Sequence, residues 1–173
     1  MPNMSNKNQG LRLAGKNPDK TKAGSGHLKR VAKALTFVAE EINEKEIDWL
    51  LGASGALFVW GVKIVPQDLD IFVSADNVVN LEKVFKKYIT RPPHYFHEGN
   101  KKYLEFQMTI NGVEVEICEL DFKKEDYVLV DFGGKKIPVN PLEKELEFYQ
   151  KRPGRKDRVE LIKRRLKELS CRQ

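Results

Sequence analysis

The segment Trp49–Val73, WLLGASGALFVWGVKIVPQDLDIFV, leaves the chain few folds to choose from. It reads as the end of a buried strand (Ile47 to Leu51), a small-residue turn opening a short apolar helix (Gly52 to Gly61), a loop, and a second strand carrying Asp68-Leu69-Asp70. Side chains on a strand alternate between faces. Asp68 and Asp70 therefore share one face, while Leu69, Ile71 and Val73 share the other. Two neighbouring carboxylates repel, and burying them unpaired is costly. A divalent cation between them removes both penalties, and Mg²⁺ favours a few carboxylates together with phosphate oxygens. Gly52-Ala53-Ser54-Gly55 supplies backbone N–H groups where a helix begins, a natural seat for phosphate.

This combination resembles the nucleotidyltransferase superfamily, the polymerase-β-like fold, and most of all its small antibiotic-type and abortive-infection-toxin-type members. Their pattern is a Gly-Gly or Gly-Ser turn, a short helix, D-x-D on the next strand and a third carboxylate on a later one. Here Ala53 stands at the second glycine, Lys63 near an expected arginine and Pro66 at a Ser/Thr position. The resemblance implies metal-ligating and catalytic roles for Asp68, Asp70 and Glu116, with Glu114, one pleat earlier, as the alternative third acid. It implies nucleotide binding by Gly52, Ala53, Ser54, Lys63 and Lys156. Lys156-Asp157 resembles the R-x-K-D that opens the family's last helix, where the lysine reaches the phosphates.

Charge is distributed unevenly along the chain. Residues 1–30 carry seven Lys/Arg against Asp19 alone, and residues 151–173 carry ten against three acids. The segment between them is acidic, although the whole 173-residue chain is +6. An acidic centre with basic ends fits a cation site served by arms that attract polyanions, so the basic termini are candidates for nucleic-acid contact. No apolar run approaches the roughly 18 residues of a membrane span. The start lacks the apolar stretch of a signal peptide, and Cys118 and Cys171 make no disulfide framework, so a cytoplasmic location is expected.

Taken in order, residues 1–24 read as a flexible basic tail and 25–173 as a single domain. Ser25 is the expected N-cap of a helix over 26–46, with Leu28, Val31, Leu35, Val38 and Ile42 on one stripe. Ser74 or Asp76 caps a helix over 77–88, which Arg91-Pro92-Pro93 ends. Strands follow from His94. Asn111-Gly112 marks a hairpin that returns as Val113 to Leu120 and places Glu114, Glu116 and Cys118 on one face. Gly133-Gly134 marks a second hairpin between 127–132 and 135–139. Pro141 opens a helix to about residue 150, and Arg155 to Leu169 form the last helix.

The fold expected is α/β (α+β), a mixed, mostly antiparallel sheet of about five strands with helices on one side. The function expected is transfer of a nucleoside monophosphate from an NTP such as ATP to a hydroxyl acceptor, with Mg²⁺ or Mn²⁺ as cofactor and release of pyrophosphate. The acceptor stays open between small molecule, RNA and protein. Two other readings are a non-catalytic nucleotide- or RNA-binding module and a toxin–antitoxin component that modifies its partner. His94-x-x-His97 spans two faces of a strand and makes a poor metal pair.

Overall fold

The computed structural model describes residues 23–171. The basic tail expected over 1–24 lies outside them, except that residues 23 and 24 already belong to the first helix, α1 (Ala23–Glu44). Ser25 is therefore inside α1 and not its N-cap. The first turn is tied to the loop before the central strand by His27, whose Nε2 lies 2.7 Å from the Pro66 carbonyl oxygen. That contact lets small residues with weak helix propensity continue the helix. At its other end the Ile47 N–H bonds to the Ile42 carbonyl and the Glu46 N–H to Asn43. Glu46, at φ 53°, holds the left-handed position where a glycine is usual.

The chain continues through β1 (Leu50–Leu51), α2 (Ala53–Val59), β2 (Asp68–Val73) and α3 (Ala75–Val84). It then runs through β3 (Ile89–Glu98), β4 (Lys101–Ile110), β5 (Val113–Glu119), β6 (Val128–Phe132) and β7 (Lys135–Val139). Helices α4 (Leu142–Gln150) and α5 (Lys156–Ser170) complete it. The seven strands form one sheet in the order β3-β4-β5-β2-β1-β7-β6. Most neighbours are antiparallel, while β2–β5 and β1–β7 are parallel. The sheet thus has seven strands where about five were expected.

Much of the difference is β3. Its Pro92 and Pro93 read in sequence as a helix stop with strands only from His94, yet the strand runs through them at the edge of the sheet. A proline removes only its own N–H; on an edge strand alternate N–H groups face solvent, so one of the two prolines costs no ladder bond and the other falls where pairing with β4 is interrupted. The register of β3 against β4 shifts just before Arg91 and again across the two prolines, which is how the strand absorbs the two rings. The two glycine-marked hairpins form where expected, with Asn111, Gly112, Gly133 and Gly134 all at positive φ, as type I′ turns require.

One face of the sheet is apolar. Leu69, Ile71, Val115, Ile117, Phe106 and Met108 are fully buried there against α1 and α3. On α1 the residues Val31, Leu35, Val38 and Ile42 are 0% exposed, the stripe that 3.6-residue periodicity predicts. The α4–α5 pair packs instead on α2, around a second cluster of Leu57, Val62, Leu142, Tyr149 and Ile162. This places α5 beside the opposite, polar face of the sheet. No helix among the described residues is long and apolar enough to cross a membrane.

Candidate active site

The polar face owes its composition to strand register. In the parallel pair, Asp68 lies beside Glu114 and Asp70 beside Glu116. In the next pair, Glu116 lies beside Gln107 and Cys118 beside Glu105, and Glu105 in turn faces His94 on β3. Because alternate residues share a face, one surface carries Asp68, Asp70, Glu114, Glu116 and Glu105. Leu69, Val115 and Ile117 anchor the same strands from the other side.

Depth separates these acids. Asp70 is 7% exposed, Asp68 and Glu116 are half-buried, and Glu114 is exposed. The Asp70 carboxyl is pushed up to about 8, first by burial and then by the charges of Asp68, Glu116 and Glu114. Burial also raises Asp68, while its own backbone N–H and the guanidinium of Arg158 pull it back. Glu116 is raised by burial and by Glu105 and Asp68, against a hydrogen bond from Gln107 Nε2 to its Oε2 at 3.0 Å. Among the described residues Asp70 Oδ2 is buried with no hydrogen-bond partner. A buried oxygen of this kind is expensive to leave unpaired. The donor set of three or four carboxylates with an orphaned oxygen at its centre fits a hard divalent cation.

The turn before α2 is locked to this face. Gly52 N–H donates to the Asp70 carbonyl at 2.9 Å. A Cβ at Gly52 would run into the Phe72 ring, and one at Gly55 would sit 3.0 Å from Leu51 Cδ1. Ala53 takes φ 47°, a left-handed conformation that an alanine adopts only under strain. Ser54 is half-buried in the first turn of α2. The structure therefore brings Gly52, Ala53 and Ser54 up to the Asp70 strand and sets Asp68, Asp70, Glu114 and Glu116 side by side. Lys63 is exposed in the loop after α2, and Lys156 is exposed in the first turn of α5.

Three groups at the site escape a reading of the sequence. Glu105 is 8% exposed, with its Oε1 2.8 Å from His94 Nε2. The carboxylates of Glu105 and Glu116 and the Cys118 thiol come within 4.8 Å of one another. Cross-strand register, which the Asn111-Gly112 hairpin fixes, is the signal that pairs Glu105 with Cys118. Tyr149 on α4 is 5% exposed, and burial, helped by the charges of Glu145 and Asp70, pushes its phenol up to about 12. Arg158 on α5 feels Asp68 and Tyr149. Its inward position follows from the spacing Arg158, Ile162, Arg165 and Leu169, one face of the helix. A separate groove of about 580 Å³ lies at the opposite end of the sheet, bordered by Ile47, Ser74 and Leu120, away from the carboxylates.

Neither a protein-family model nor a curated protein matches the sequence. Solved structures do. A provisionally assigned nucleotidyltransferase of Thermotoga maritima superposes with a TM-score of 0.61 at 22% identity, over 79% of this chain and 92% of its own. The lincosamide antibiotic adenylyltransferase LnuA, in its lincomycin-bound form, gives a TM-score of 0.57 at 12% identity, over 76% of this chain and 95% of its own. The chain has the nucleotidyltransferase fold.

Proposed function

We propose that this protein is a metal-dependent nucleotidyltransferase that moves a nucleoside monophosphate from an NTP to a hydroxyl acceptor. The observation that carries this reading is the parallel β2–β5 register, which puts Asp70 beside Glu116 with an orphaned Asp70 oxygen between like charges. Asp68, Asp70 and Glu116 would hold one or two Mg²⁺ or Mn²⁺ ions. When bound, the ions supply charge neutralisation of the phosphates and acidify the attacking hydroxyl. Ser54 and the N–H groups of residues 53–55, which have no partner inside α2, take the terminal phosphates. The acceptor oxygen bonds to the α-phosphorus, the bond to the β-phosphate bridge breaks, and pyrophosphate leaves. The hydroxyl proton passes to Glu116, the carboxylate that strand register sets beside Asp70. Positioning and electrostatics carry most of the rate gain in such a site.

The test is incubation of the protein with labelled NTPs, Mn²⁺ or Mg²⁺ and total cell extract. A labelled product that disappears with Asp70→Asn is expected. Nucleotide binding without transfer to any component would sink the enzyme reading and leave a binding module. A labelled protein in place of a small molecule or RNA would select the toxin-like alternative.

A further inference from the structure

Lys156, Asp157 and Arg158 follow one another at the start of α5 but meet very different surroundings. Lys156 and Asp157 are exposed, while Arg158 is half-buried. Arg158 lies one turn before Ile162, which is 0% exposed in the cluster with Leu57 and Tyr149. A further turn along, Arg165 Nε donates to the Trp60 carbonyl at 2.6 Å, so this face of α5 is pinned to the end of α2. The guanidinium of Arg158 is thereby held where its charge reaches both Asp68 on β2 and Tyr149 on α4.

Its Nη1 is enclosed and, among the described residues, has no hydrogen-bond partner. Two more buried polar atoms lack a hydrogen-bond partner among the described residues: His94 Nε2, which has the Glu105 carboxylate 2.8 Å away, and Asp70 Oδ2, an acceptor that Arg158 does not satisfy. An unpaired donor on α5 and an unpaired acceptor on β2 thus both belong to residues whose charge interacts with Asp68. Each is costly to bury alone. A ligand that turns cationic charge toward the carboxylates and anionic oxygens toward the guanidinium satisfies both at once. A metal–polyphosphate has that polarity, and a guanidinium fork matches phosphate oxygens better than a lysine point charge does. Lys156, out in solvent, makes at best a screened contact.

We propose that Arg158, and not Lys156, is the residue of α5 that binds the phosphates of the nucleotide. This rests on the nucleotidyl-transfer reading above and names the cation that reading needs on the helical side of the cleft. Affinities of the full chain for Mg²⁺-tripolyphosphate and for a Mg²⁺-bound non-hydrolysable NTP, read by calorimetry, test it. Arg158→Gln is expected to weaken both at least tenfold, Arg158→Lys to recover part of the loss, and Lys156→Ala to stay within twofold of wild type. Ligand-free melting of each variant reports whether it is folded. Should Arg158→Gln fail to fold, Arg158→Lys, which keeps the stem and the charge, still carries the comparison, and wild-type affinity in it overturns the proposal. Arg158→Gln with unchanged affinity overturns it too, leaving Arg158 as a counter-ion for Asp68, and so does an equal loss in Lys156→Ala. If the wild-type chain binds neither polyphosphate, the nucleotidyl-transfer reading falls and this one with it. If it binds both and the Arg158 variants bind equally well, only this one falls.

Discussion

Asp70 is the residue at which stability and function pull in opposite directions. Its carboxyl goes from an ordinary 3.8 to about 8, chiefly through burial. A carboxyl raised on folding favours the native state fully below its unfolded value, and that advantage is lost as pH rises through the folded value. The metal-free protein is therefore predicted to lose stability between about pH 4 and pH 8. Asp70→Asn, which removes the charge and keeps the shape, should flatten that profile and raise the metal-free melting temperature at pH 8 by about several degrees. The same variant should lose the stabilisation that Mg²⁺ and a non-hydrolysable NTP give the wild type. A pH profile unchanged by the substitution would remove Asp70 from the acidic cluster. Ala53 is a second strained residue. At φ 47° it is predicted to gain from Ala53→Gly, by about 0.5 kcal/mol in chemical denaturation, since the side chain's steric cost outweighs the extra freedom glycine gives the unfolded chain. Equal or lower stability would show that the turn relaxes with alanine in place. The D-x-D pair and the turn were readable from sequence because both depend on neighbours a few residues away. Arg158, Glu105 and Tyr149 were not, because what makes them notable is burial beside groups on other elements.

At the scale of elements, the hairpins were the most legible parts, since two residues at positive φ fix both the turn and the register that follows. The face occupied by Glu114, Glu116 and Cys118 came with them. What local rules missed is β3, where proline is tolerated only because the strand ends up on an edge. Edge position is a property of the assembled sheet, so Arg91-Pro92-Pro93 looked like a plain break. The two prolines also protect that edge from pairing with other chains. Replacing both, as Pro92→Val with Pro93→Thr, is predicted to leave the melting temperature within a few degrees and to promote concentration-dependent association. Light scattering or sedimentation would detect it, and a monomer at all concentrations would count against the protective role. Strand count was underestimated for the same reason, and β1 shrank to Leu50–Leu51 because the preceding residues close the turn that ends α1.

For the whole molecule, the sheet is three antiparallel groups, β3-β4-β5, β2-β1 and β7-β6, joined by parallel pairing at β5–β2 and β1–β7, and the site lies on the β5–β2 joint. The joint closes a loop containing α3, β3 and β4, so its pairing is non-local and expensive in chain entropy. It is also the step that presses Asp68 and Asp70 against Glu114 and Glu116. Mutual repulsion among the acids thus works against completion of the sheet, and a divalent cation works for it. Stopped-flow refolding at pH 8 is predicted to accelerate roughly two- to tenfold on adding Mg²⁺, if the joint is formed in the transition state. Asp70→Asn should refold fast with or without the ion. A wild-type rate indifferent to Mg²⁺ would place the joint after the barrier. With the predicted acceleration, the ion proposed to orient a nucleotide in the mature protein has an earlier task. During synthesis, cellular magnesium would set the pace at which the nascent chain zips its two halves together, and a magnesium-starved cell would accumulate chains caught with the seam open.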